Sequence, residues 1–102
     1  MTRWQSVRIG DIGETEVWLR GTDPATLDWL VAEVRQRDPQ SKIMEKLKDA
    51  DGIVYQIDLE LSPGCKSMAI LPVLQRLLLE EGWEPYTHGL KRQLLIPTDL
   101  LP

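Results

Sequence analysis

Apolar residues recur along this chain with two different periods, and the changes of period divide it into elements. Near the start, Trp4 to Ile9 alternates with Val7 and Ile9 on one side. Thr15 to Arg20 alternates again, with Val17 and Leu19 opposite Glu16, Trp18 and Arg20. Period two predicts strands, and the turn-forming run Gly10-Asp11-Ile12-Gly13 between them predicts a hairpin. The period then lengthens. Leu27, Leu30, Val31 and Val34 stand at i, i+3, i+4 and i+7, the stripe of a surface helix. Thr22 or Asp23 can cap it, Pro24 suits its first position, and Asp38-Pro39 ends it.

Lys42 to Asp49 and Ile53 to Leu61 return to alternation and predict a second hairpin. A one-residue slip would send every side chain to the other face, so the loop length matters. A three-residue loop, Ala50-Asp51-Gly52, pairs Ile43 with Leu59, Leu47 with Tyr55, Lys42 with Glu60 and Lys46 with Gln56. The expected turn is type I, with Gly52 in the left-handed region. A two-residue Asp51-Gly52 turn would instead pair Glu45 with Asp58. In the longer-loop register Ile53, Tyr55, Ile57, Leu59 and Leu61 form the core face. Val54, Gln56, Asp58 and Glu60 form the wet one, and Lys42 to Lys48 is expected at the sheet edge, where an awkward Glu45 is tolerated.

From Ser67 to Glu81 apolar positions cover more than half of a helix circumference, which predicts a helix buried more deeply than the first. Pro72 interrupts it, and a continuous helix with a bend there is the expected outcome. Gly82 is a fitting C-cap. Trp83 to Thr87 and Leu90 to Ile96 read as further strands, with residues 97–102 as a tail.

The order (β)βαββαβ predicts one α+β domain over residues 1–102. Its simplest form is a ferredoxin-like, split βαβ antiparallel sheet with two helices on one face and extra strands at the termini. The leftover strands extend the sheet or pair with a second copy. The element order is similar to the βαββαβ topology of ACT-type regulatory domains. The glycine-centred ligand loop that follows the first strand of that family corresponds here to Gly21-Thr22-Asp23-Pro24, which departs from it. The resemblance therefore implies topology and carries no site residue.

Composition narrows the chemistry. The 102 residues are 42% hydrophobic and 27% charged, with a net charge of −4 and one cysteine. An acidic chain with its cations dispersed among acids argues against a nucleic-acid partner. The longest apolar stretch, Met68 to Leu79, is too short and too interrupted to span a membrane, and the opening MTRWQSVRIG does not read as a signal peptide. A cytoplasmic protein is expected. One cysteine forms no intramolecular disulfide, and one cysteine plus one histidine make a poor metal site, so no metal and no cofactor are expected.

Gly64-Cys65-Lys66-Ser67 precedes a helix, where free N–H groups attract anions. Gly64, Lys66 and Ser67 are therefore the candidate ligand-binding residues, although a plain turn capped by Ser67 accounts for the same residues. A helix start beside Lys66 would lower the Cys65 pKa. Yet His88, the sole histidine, is expected at the other end of the sheet, so no nucleophile–base pair assembles and an enzyme is disfavoured. Asp49-Ala50-Asp51-Gly52 lacks the later ligands of a calcium loop. The pairs Asp58/Glu60 and Glu80/Glu81 read as solvated faces.

Trp18, on the face expected to be wet, could join Val54 and Leu95 in an apolar patch that a partner covers. Such a patch requires Trp18 to be exposed in the isolated chain. The function these observations predict is a small binding or regulatory module acting through protein contacts, with a homodimer or another protein as partner. The alternative is a binder of a small anion at Gly64 to Ser67.

Overall fold

A computed structural model describes the backbone of residues 5–86 and 94–97 and the side chains of residues 5–83. Trp4, His88, most of the stretch preceding Leu94, and the tail after Pro97 fall outside the described residues. The chain forms β1 (Val7–Gly13), β2 (Glu16–Gly21), α1 (Pro24–Arg37), β3 (Lys42–Lys48), β4 (Val54–Glu60), α2 (Ser67–Glu80), β5 (Trp83–Tyr86) and β6 (Leu94–Pro97). All five strand pairings are antiparallel, and the sheet order is β3-β4-β2-β1-β6-β5. β3 stands at an edge, as expected. The strands left over at the two ends of the chain extend this same sheet, so they do not need a second copy to supply their hydrogen bonds.

The core lies between one face of the sheet and the two helices. Val17, Leu19, Ile57 and Leu59 face Leu27, Leu30, Val31 and Val34 of α1 and Ile70, Leu74 and Leu78 of α2. The α1 stripe is the one its spacing predicts. Asp23 caps it, accepting from the Ala25 N–H (3.3 Å) and the Thr26 hydroxyl (2.9 Å). Thr22, the other candidate cap, instead accepts from the Ser6 N–H (3.0 Å).

Helix α2 runs unbroken through Pro72. Proline removes the bond that residue 72 would donate to the Met68 carbonyl, at a cost of about 3 kcal/mol. Burying Ile70, Leu74 and Leu78 contributes about 1.5–3 kcal/mol each, so burial outweighs the break. Gly82, at φ +95, follows the helix as expected for a left-handed C-terminal residue.

The first hairpin departs from expectation. Its turn is at Glu14-Thr15, and Gly10 to Gly13 belongs to β1, with Ile12 bulged between the Asp11 and Gly13 pairings. Gly10 is opposite Trp18, and a Cβ built on Gly10 would lie 2.5 Å from Trp18 Cζ2. The glycine is there to seat an indole, not to turn the chain.

The second hairpin keeps the three-residue loop. Gly52 has φ +80, its N–H donates to the Asp49 carbonyl, and the Asp49 N–H donates to the Ile53 carbonyl. The Asp49 carboxylate also accepts from the Asp51 and Ile53 N–H groups (2.9 and 3.0 Å). The expected pairs Lys42–Glu60 and Ile43–Leu59 form. Between them and the loop, the register shifts twice. Glu45 pairs with Asp58, Lys46 with Ile57 and Leu47 with Gln56, and the ladder returns to its first register at Lys48–Val54. Met44 on β3 and Tyr55 on β4 are the extra residues.

The first bulge turns Glu45 to the wet face, where a carboxylate is tolerated, and leaves Lys46 opposite Ile57 at the edge, where a long aliphatic stem suits. The second bulge reverses the parity of β4 near the loop. Val54 packs against the core, Tyr55 turns toward Arg20, and Ile53 is 47% exposed. The expected core face of β4 therefore holds only for Ile57, Leu59 and Leu61.

Gly10→Ala should lower stability by about 1–3 kcal/mol, the cost of overpacking a filled site. Urea unfolding followed by tryptophan fluorescence checks it. A neutral substitution would show that the indole does not rest on Gly10.

Candidate functional site

The loop before α2 is already occupied by the chain itself. The Ser67 N–H donates to the Glu14 carbonyl (2.7 Å), and the buried Ser67 hydroxyl is shared between the Gly13 carbonyl (2.9 Å) and Asp11 Oδ2 (3.2 Å). Lys66 Nζ meets Glu14 Oε2 at 3.2 Å on the surface. The β1–β2 turn is thus clamped onto the helix start, with two carboxylates where an anion was expected. Ser67 is the first helical residue, and no side chain caps α2. Gly64 lies in an open turn, with nothing within 4 Å of where its Cβ would be. The geometry brings Lys66 and Ser67 together, but toward acidic partners.

Cys65 is half-buried, and its thiol is pushed up from the ordinary value by burial and then by the nearby Asp38 carboxylate. This reverses the direction expected from the helix start and Lys66. Asp38 itself is a residue that its sequence context marks only as a helix end. It is buried, and its two oxygens accept from the Ser62 N–H and the Ser62 hydroxyl, both at 2.8 Å. Its N–H donates to Val34 and its carbonyl accepts from Ser41. Asp38 therefore ties the end of α1 to the loop leaving β4. Ser41 Oγ, in the same corner, is buried and is the side-chain polar atom left without a partner among the described residues.

The Trp18 patch does not assemble. Trp18 is 6% exposed on the open sheet face, Val54 is on the core side, and Leu95 pairs with Val7 on β6, two strands beyond β2 in the sheet order. The side chain of Leu95 lies outside the described residues.

Besides Ile12, Met44 and Ile53, which are exposed at strand bulges and a loop end, exposed apolar side chains lie on the helical side of the molecule, along α2. This helix buries Ser67, Ile70, Leu74 and Leu78, no more residues than α1 does, so its broad apolar circumference is not explained by burial within the chain. Met68 is 80% exposed and Leu79 42%. With 3.6 residues per turn, Met68, Pro72 and Leu79 share one side with Gln75, flanked by half-buried Leu71 and by Arg76. No described helix is long and apolar enough to cross a membrane. Among the described residues, no group of three or more His, Cys, Asp or Glu side chains is placed to hold a metal ion.

No family model matches the chain, and no curated protein or solved structure matches it either.

Asp38→Ala strands a buried N–H and a hydroxyl, and should cost about 2–4 kcal/mol, with Asp38→Asn losing less. Matched urea curves for the two variants check this, and equal losses would refute the hydrogen-bond account. For Cys65, a raised folded pKa favours the folded state below the unfolded value and withdraws that favour as pH rises through the folded one. Alkylation by iodoacetamide should accordingly have its midpoint above that of the urea-unfolded chain. A midpoint at or below it would contradict the burial effect.

Proposed function

We propose that the chain is a small binding or regulatory module that works by protein contact and pairs with a second copy of itself through the outer side of α2. The observation carrying this reading is the apolar stripe Met68, Pro72 and Leu79 left in water on a helix whose inner side is already filled. Exposed apolar side chains gathered on one side of a helix mark a contact site, and methionine is enriched in such contacts.

A second copy is the occupant the stripe fits. Antiparallel α2 helices related by a two-fold axis would set Met68 of each against Leu79 of the other, with Arg76 opposite Leu71 and no like charges facing. Self-complementarity of this kind is what an isologous interface requires. The segment β2-α1-β3, with β4 inserted between its two strands, supports a ferredoxin-like reading of the fold. In that reading β1 takes the place beside β2 that the last strand of the motif would hold. A cytoplasmic location accords with the single, half-buried thiol.

Sedimentation at protein concentrations a hundredfold apart tests the reading. The wild type should shift from monomer to dimer mass, and Met68→Lys/Leu79→Lys should remain monomeric while unfolding within about 0.5 kcal/mol of wild type, as exposed substitutions do. A wild type that stays monomeric at the higher concentration rejects self-association.

A further inference from the structure

On the open face of the sheet, two cations have no counter-charge among the described residues. Arg8 on β1 and Arg20 on β2 are directly opposite each other in the ladder, which places their Cβ atoms about 5 Å apart. Like charges so placed destabilise a sheet. The chain as a whole is acidic, and Lys66 and Arg37 each find a carboxylate within it. Among the described residues, neither the Arg8 nor the Arg20 side chain forms an ion pair or a hydrogen bond. Asp58, the nearest acid on that face by register, accepts from Gln56 Nε2 at 3.0 Å instead.

The pair is also shaped. Arg8 and Arg20 line a pocket of about 240 Å³ together with Ile12, Trp18 and Gln56. Trp18, buried against Gly10, is part of its wall. The Arg20 guanidinium stands over the Tyr55 ring, 5.3 Å from its centroid, and Tyr55 is the residue that the β4 bulge turns to this face. Stacking on the ring fixes the guanidinium plane and leaves its edge N–H groups for an acceptor. Two guanidinium groups lining one pocket suit the several oxygens and double charge of one phosphate group, and the volume admits a small ligand only.

We infer that Arg8 and Arg20 form a binding site for the phosphate group of a small molecule on the open face of the sheet. The site is independent of the α2 contact, and of the loop at Gly64 to Ser67, where Asp11 and Glu14 stand in the way. Ile12, bulged and 58% exposed, forms its rim.

The test is a titration of the full chain with inorganic phosphate at constant ionic strength, made up with chloride and read by the arginine Nε–Hε signals in NMR. Saturable shifts are expected at two arginines, which Arg8→Gln and Arg20→Gln identify by loss of one signal each. Either substitution should weaken binding at least tenfold. Arg35→Gln, exposed on α1, should leave it unchanged and serves as the control for bulk charge. Phosphate should also raise the thermal midpoint of wild type and not of Arg8→Gln, a readout that survives if the NMR signals exchange too fast to follow. A response that does not saturate, or that is equal in Arg35→Gln and Arg8→Gln, overturns the site. Saturation by succinate with none by phosphate overturns the ligand class.

Discussion

The ladder between β2 and β4 is the constraint on which the rest of the structure depends. Pairing Val17 with Leu59 and Leu19 with Ile57 puts four branched side chains on one face, and both helices pack on them. The same register commits Trp18, Arg20, Gln56 and Asp58 to the opposite face, because side chains alternate with period two. A slip of one residue by either strand would expose that strand's two apolar side chains and bury its charged ones, so the pairing tolerates no neighbouring register. The β3–β4 hairpin must then fit a fixed partner. It does so with one bulge on each strand, each cancelling the register shift of the other, and this preserves both the loop geometry at Asp49 to Gly52 and the pairing at Lys42–Glu60.

Much of this was legible from spacing. The α1 stripe, its Asp23 cap, its end before Asp38-Pro39, the three-residue hairpin loop, the antiparallel α+β sheet and the edge position of β3 all rest on local chemistry that a sequence displays. What was hidden depends on neighbours distant in the chain. Gly10 reads as a turn residue until Trp18 is laid upon it. Glu45, awkward beside Ile57, reads as tolerated at an edge strand, and nothing local says that a bulge at Met44 relieves it or that a second at Tyr55 restores the register. Asp38 reads as helix punctuation, and its bonds to Ser62 arise from a residue 24 positions away. The direction of the Cys65 shift had the same origin. A helix start and Lys66 were visible in the sequence, while the burial and the Asp38 carboxylate that outweigh them were not.

Helix α2 shows the limit of pattern in another way. An apolar circumference says that a helix will lose water on most sides; it does not say to what. Here the inner side is covered by the sheet and α1, the start is clamped by the β1–β2 turn through Ser67, and the outer stripe of Met68, Pro72 and Leu79 is left to solvent. The clamp also decides the fate of the helix N-terminus. A carboxylate from Asp11, turned to the helix side by its pairing with Val17, supplies within the chain the negative charge that a helix start attracts.

The two faces constrain each other. A dimer formed through the open sheet, the surface that a buried-face argument would first select, would bring the Arg8–Arg20 pair of one copy toward that of the other or strip both of water. Four guanidinium groups held near one another without counter-charge would repel across a dehydrated gap, where screening is weakest. The outer side of α2 carries no such burden, with Arg76 and Glu80 of opposite sign at its border. Association through α2 would leave both open faces turned away from the contact. The two arginines, without a counter-charge among the described residues, thus oppose one docking geometry and do not touch the helical one.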